Sequence, residues 1–151
     1  MPIHSEKRVL PYAPEELFNL VKDIEKYPEF LPWCIGLWVH EREEGEMGEI
    51  LSAKMEIGFK IFRERFTCRV LAIPSSKDVP HRIDVSYVDG PFKYLKNHWV
   101  FNRTNIGTEI DFLVDFEFRT KIMEKIIGMV FTEAVQKMVH AFERRANSIY
   151  G

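Results

Sequence analysis

Side chains able to ligate a metal or move a proton are few and scattered in this 151-residue chain. Its five histidines, His4, His40, His81, His98 and His140, share neither the i, i+4 nor the H-x-H spacing by which one element presents two imidazoles to a metal. Cys34 and Cys68 are not in a C-x-x-C spacing. They read as buried thiols, because a nucleophile would need a base that only the fold could bring to it. No G-x-S-x-G, glycine-rich phosphate loop or paired-carboxylate arrangement is present. Tyr87, on a predicted central strand, is the strongest polar candidate left, and His98 is a lone strand histidine beside Trp99. The abundant chemistry is apolar, with 12 phenylalanines and a 46% hydrophobic composition.

The elements that hold these residues are legible from periodicity. From Ile110 to Phe118, the apolar residues Ile110, Phe112, Val114, Phe116 and Phe118 alternate with Glu109, Asp111, Asp115 and Glu117, giving a strand with one dry face. From Ile122 to Tyr150 the period changes to that of a helix. Its stripe runs through Met123, Ile127, Val130, Ala134, Met138 and Ala141 and is widened by Phe131, Val135 and Phe142. At 1.5 Å per residue this helix reaches roughly 40 Å, so a strongly curved antiparallel sheet is expected to grip it. Such a grip leaves room for a cavity between sheet and helix.

Upstream, Ile3 to Leu10 reads as a first strand and Pro14 as the first position of a short helix, with Glu15 and Glu16 favourably placed against its dipole. A brief second helical turn precedes Pro28, and Pro28 and Pro32 shape the connection to Trp33. Strands are expected from Trp33 to Glu43, through Leu51, Ala53, Met55, Ile57 and Phe59, and through Phe62, Phe66, Cys68, Val70 and Ala72. The wet faces of the last two carry Lys54 and Glu56, and Arg63, Arg65, Thr67 and Arg69. Ile83 to Val88 and Leu95 to Arg103 follow, joined by a turn at Asp89-Gly90-Pro91. No linker or repeat divides the chain, so residues 1–151 are expected to form one domain: strand, two short helices, six strands, long helix.

The net charge of −2 gives no global attraction to nucleic acid or acidic lipid. No apolar run reaches the roughly 18 residues of a membrane span, no signal-peptide pattern opens the chain, and two cysteines suit a reducing compartment. A cytoplasmic setting is expected.

Four strings fall in order on these elements: Tyr27-Pro28-Glu29-Phe30-Leu31-Pro32-Trp33-Cys34; Asp89-Gly90-Pro91-Phe92 leading to Leu95 and Trp99; Val114-Asp115-Phe116-Glu117-Phe118; and Met138 with Ala141-Phe142-Glu143-Arg144-Arg145. Together they resemble the coenzyme Q-binding family of the START and polyketide-cyclase-like superfamily, which includes RatA-type ribosome-association toxins. The resemblance spans essentially the whole chain and implies an α+β helix-grip fold like that of the birch pollen allergen. With no Arg-rich extension before the first strand, it points to a bacterial member. It further implies a carrier for ubiquinone or a similar polyprenyl quinone that supports respiration, needs no cofactor and does no chemistry itself. Such a carrier would touch the inner face of the membrane transiently.

The residues agree on polarity. A cavity lined by Met55, Phe66, Val70, Trp99, Phe112, Phe116, Phe131, Val135 and Met138 would be almost wholly apolar, with Tyr87 placed to hydrogen-bond a quinone oxygen. Any one of these side chains also suits plain core, so container geometry decides. Phe30, Leu31 and Trp33 on one connection, and Phe92, Tyr94 and Leu95 on another, could form a gate that meets the bilayer or tuck under as satellites of the core. Ile122, Ile126 and Met129 form a second apolar edge of the long helix, beside Gly128. Two alternatives stand: an enzyme related to cyclases or hydrolases, and a module that binds a ribosomal subunit through a basic patch of Arg63, Arg65, Arg69, Arg144 and Arg145. Specific DNA binding is not expected. No aromatic residue is expected to interleave with the arginines, and their plainer reading is a solvated strand face.

Overall fold

Alternation of apolar and polar residues dominates the chain, and the computed structural model, which describes residues 2–59 and 62–151, turns it into one antiparallel sheet. The elements are β1 (Ile3–Leu10), α1 (Pro14–Lys22), a 3-10 turn (Ile24–Lys26), α2 (Tyr27–Phe30), β2 (Cys34–Glu44), β3 (Glu49–Phe59), β4 (Phe62–Ile73), β5 (His81–Asp89), β6 (Phe92–Thr104), β7 (Gly107–Phe118) and α3 (Lys121–Tyr150). The seven strands lie in the order β1-β7-β6-β5-β4-β3-β2, so β2 to β7 form a continuous meander and β1 closes onto β7. The expected facing of the Phe62 side chain lies outside the described residues.

The inner face is apolar: Leu51, Ala53, Phe66, Cys68, Val70, Ile83, Trp99, Phe101, Phe112 and Phe116 are buried. Register shifts between Cys34 and Gly36, between Val39 and Glu41, between Thr67 and Cys68 and between Phe92 and Tyr94 are the points where strands bend and the sheet curls. Gly90, at φ +148°, makes the sharp β5–β6 turn directly over Phe66, where a Cβ would stand 2.6 Å from the Phe66 Cβ. Arg119 ties this turn to the start of α3, its backbone N–H donating to the Pro91 carbonyl (2.9 Å) and its Nε to that of Phe92 (3.0 Å).

α3 begins where Thr120 Oγ1 accepts the Met123 N–H (3.2 Å) and Glu124 Oε1 accepts the Phe118 N–H (2.7 Å). Its buried seam is Ile127, Val135, Met138, Ala141, Phe142 and Ala146. All of these but Ala146 belong to the expected stripe and its widening, and Met123, Val130, Phe131 and Ala134 form its half-buried borders. The C-terminal half of the helix leans on α1, α2 and β1, where Arg8 pairs with Glu143 (3.1 Å), Arg145 with Glu29 (3.2 Å), and Tyr150 Oη donates to the Glu16 carbonyl (3.0 Å).

α1 is seated through His81 of β5. Its ring stacks on Phe18 at 4.5 Å, and its Nδ1 accepts the Ser75 N–H at 3.0 Å, leaving the Nε2 side 3.7 Å from Glu15. Burial holds the imidazole below its ordinary pKa, against a smaller opposing pull from Glu15. The unfolded chain therefore takes up this proton first as pH falls, and the stabilisation present above the ordinary histidine value of about 6.5 is lost below it. Thermal unfolding followed between pH 7.5 and 5.5 is expected to show a falling midpoint, and His81→Phe, which keeps the stack, should flatten that fall.

Candidate functional site

Between the curled sheet and the N-terminal two-thirds of α3 lies a cavity of about 200 Å³. Met55, Phe66, Val70, Trp99, Phe112, Phe116, Phe131, Val135 and Met138 all line it, so nine of the ten expected ligand-binding residues share one space. The tenth, Tyr87, is not among the lining residues. Its ring packs edge-on against Phe92 (5.5 Å), and its hydroxyl accepts the Phe92 N–H (3.0 Å), bracing the β5–β6 hairpin. Among the described residues no histidine, carboxylate or cationic side chain lines the cavity.

The expected gate divides as well. Leu31, Trp33, Phe92 and Leu95 line the cavity, and Leu31 and Phe92 are buried at 3% and 2% exposure. Phe92 is the hub of an aromatic cluster, stacked on Phe118 (4.7 Å) and edge-on to Phe66 and Phe116. Phe30 packs edge-on against Tyr27 and Phe142 under the Arg145 guanidinium, away from the cavity wall. Tyr94 turns outward, its hydroxyl donating to Asp115 (3.1 Å). The two greasy connections are thus largely packed into the core, whereas α3 carries an exposed apolar edge, where Ile122 and Met129 are 73% and 78% exposed.

Sequence reasoning missed the polar features of the wall. Asn97 lines the cavity from the middle of β6, where its Nδ2 donates to the Leu113 carbonyl (2.7 Å) and its Oδ1 accepts the Trp99 indole N–H (3.2 Å). One N–H of its amide and part of the capacity of its oxygen stay free in these contacts. The signal was available, since the alternation that turns Leu95, Trp99 and Phe101 inward turns Asn97 inward between them. Trp33 lines the cavity with a buried indole N–H that has no partner among the described residues. Tyr27 is spent internally, donating to the Val21 carbonyl (2.5 Å). An enclosure of this size takes one small ring, and it falls short of the roughly 300–1,000 Å³ that surrounds a drug-sized ligand. A longer guest needs more room than this enclosure offers, which movement of α3 against the sheet would supply.

With this geometry in place, comparison with known proteins is decisive for kinship. A family model described as polyketide cyclase / dehydrase and lipid transport matches residues 10–143. The chain belongs to that family. It is 37% identical over 142 residues to the ribosome association toxin RatA of Rickettsia prowazekii, covering 94% of each. It is 31% identical over 153 residues to the mitochondrial coenzyme Q-binding protein COQ10 homolog B of Xenopus laevis, covering 98% of this chain but 59% of that relative. The solution structure of the 18 kDa protein CC1736 from Caulobacter crescentus is similar with a TM-score of 0.79 at 34% identity, over 100% of this chain and 99% of that one. The helix-grip architecture expected from the sequence is the one observed.

Both cysteines are buried, and Cys68 lines the cavity. Burial pushes the Cys34 thiol up to about 11 and that of Cys68, in the cavity wall, up to about 12, so neither ionises near neutrality. The native protein at pH 8 is therefore expected to leave an aromatic disulfide reagent unreacted and to release both thiols' worth of chromophore on denaturation.

Proposed function

We propose that the protein carries a long apolar ligand with a small ring head group, of the polyprenyl quinone class, and that it acts as a binding protein in support of respiratory electron transport. The observation that carries this reading is a cavity wall made almost entirely of aromatic, aliphatic and thioether side chains, in a family whose description includes lipid transport. Burial of each CH₂ of a prenyl tail stabilises the complex by about 0.8 kcal/mol, so a few isoprene units suffice for useful affinity. Asn97, with its free amide N–H, is our choice for the residue that meets a quinone carbonyl. That no histidine or carboxylate among the described residues lines the wall supports binding over the cyclase or dehydrase chemistry also named in the family description.

Loading and release need a surface where lipid replaces water. We assign this transient contact, with the inner face of a membrane, to the exposed Ile122 and Met129 edge of α3, with opening that unpacks Leu31 and Phe92. No helix among the described residues is long and apolar enough to cross a membrane.

A second reading is association with a ribosomal subunit, supported by the name of the Rickettsia prowazekii relative, a ribosome association toxin, and by its match along 94% of this chain. It requires an exposed basic surface, which the outer face of β3 and β4 supplies through Lys54, Arg63, Arg65 and Arg69.

Protein purified from its own host is expected to release a quinone on solvent extraction, and the extracted protein to take one up from vesicles. Val135→Asp and Phe66→Asp, each placing a carboxylate against apolar surface at a cost of several kcal/mol, should lose that retention while circular dichroism reports the fold. Asn97→Leu should keep the tail and lose discrimination between quinone and a head-group-free prenyl alcohol. A reproducibly empty wild type that takes up no quinone overturns the carrier reading.

A further inference from the structure

The outer face of β2, β3 and β4 carries an aromatic residue among its cations, which corrects the expectation that none interleaves with the arginines. Trp38 pairs in register with Lys54, and Lys54 with Thr67, while Glu56 pairs with Arg65. Ala53, beside Lys54 in β3, is fully buried, so Trp38 and Lys54 share the opposite, solvent-facing side. The indole is 50% exposed although the Arg65 guanidinium lies 5.7 Å from its ring centre. Its far edge lies over Gly36, where an added Cβ would stand 2.7 Å from the Trp38 ring, so a residue without a side chain lets the ring lie low on the strand.

An exposed tryptophan on the wet side of a sheet costs solubility and contributes little to the core, and its neighbours suggest what it meets. The Arg63 and Arg65 side chains are 70% and 64% exposed, and Lys54 and Arg69 are exposed as well. Glu56 is the carboxylate in their midst, and it lies beneath the two arginines at 3.9 and 3.1 Å with an 11% exposed side chain, so the outward surface is cationic. Glu41, paired with Ser52, and Asp89, paired with Thr67, mark the acidic borders. Along β4, Arg63 to Arg69 covers about 20 Å at ~3.4 Å per residue. An aromatic platform inside a strip of arginine and lysine is the arrangement that takes a base on the ring and phosphates on the cations.

We propose that this outer face binds single-stranded RNA, with a base stacked on Trp38 and the phosphates held by Lys54, Arg63, Arg65 and Arg69. The patch itself argues for an unpaired nucleic acid strand. The choice of RNA rests on the ribosome reading above. The face lies on the opposite side of the sheet from the cavity, so ligand carriage and RNA binding use separate residues.

The test is fluorescence anisotropy of a labelled oligouridylate with the full chain, alongside sedimentation with purified ribosomal subunits. Wild type is expected to bind the oligonucleotide with an affinity that falls steeply with salt and to lose tryptophan fluorescence on binding. Trp38→Ala should weaken binding by about tenfold or more, Trp38→Phe should retain most of it, and Lys54→Glu with Arg69→Glu should abolish it and flatten the salt dependence. Unchanged thermal midpoints and quinone uptake in these variants would tie the loss to the patch. Absence of oligonucleotide binding by wild type at low salt, or equal binding by Trp38→Ala, overturns the proposal. Co-sedimentation that survives Trp38→Ala would leave the ribosome reading standing and remove this surface from it. RNA binding without co-sedimentation would keep the surface and remove the ribosome.

Discussion

The strands from β3 to β7 each turn an apolar face inward and need a partner long enough to cover them, and α3 supplies it. Where α1, the 3-10 turn and α2 also press in, Leu17, Val21, Ile24 and Tyr27 join one buried cluster with Phe142 and Ala146, Tyr27 edge-on to Phe142 at 5.4 Å. Those short elements do not reach under Ile127 to Met138. A cylinder about 10 Å across cannot fill a trough of that curvature alone, and the void is what remains. The position of the cavity is thus set by where two short helices stop, and its apolar character by the strand faces that would otherwise have met a neighbour.

The same arrangement grades the hold on α3 along its length. Its last turns are fastened by Arg8, Tyr12, Glu29 and the Glu16 carbonyl, which join Glu143, Asn147, Arg145 and Tyr150 to three other elements. Between these ties and that of Glu124 to the Phe118 N–H at its start, α3 meets the sheet over the cavity through apolar and ring contacts, among them Phe131 with Phe116 (5.6 Å) and the Lys137 ammonium with Phe59 (5.3 Å).

Strict alternation made most of the fold legible. β7 and β4 announce their inner faces residue by residue, and the thirty-residue helix is visible from its period and its freedom from proline. β2 resisted, because Ile35, Leu37 and Val39 on one parity and Trp38 on the other are all apolar, and two register shifts change which side faces in. Without the pairing there is no way to see that Trp38 joins the arginines of β4. Tyr87 failed for a different reason: its parity is inward, but a backbone N–H at the next turn captures its hydroxyl. Leu31 and Phe92 looked like loop grease by their flanking prolines and glycine, yet the aromatic cluster around Phe92 gives them more apolar contact than water exposure could offset. Asn97 was readable by simple counting.

One feature of the topology reaches back to the ribosome in every cell that makes this chain. Each strand from β3 to β7 pairs with its predecessor, so those hairpins can form as the chain emerges. β1 cannot, since Ile3 to Leu10 pairs with Thr108 to Asp115, made about a hundred residues later. At roughly 5–20 residues per second, the first strand waits on the order of 5–20 s with its ladder groups unpaired. During that interval Ile3 and Val9 stand beside Glu6, Lys7 and Arg8, and the charges on this strand serve the nascent chain as protection against pairing with a neighbour.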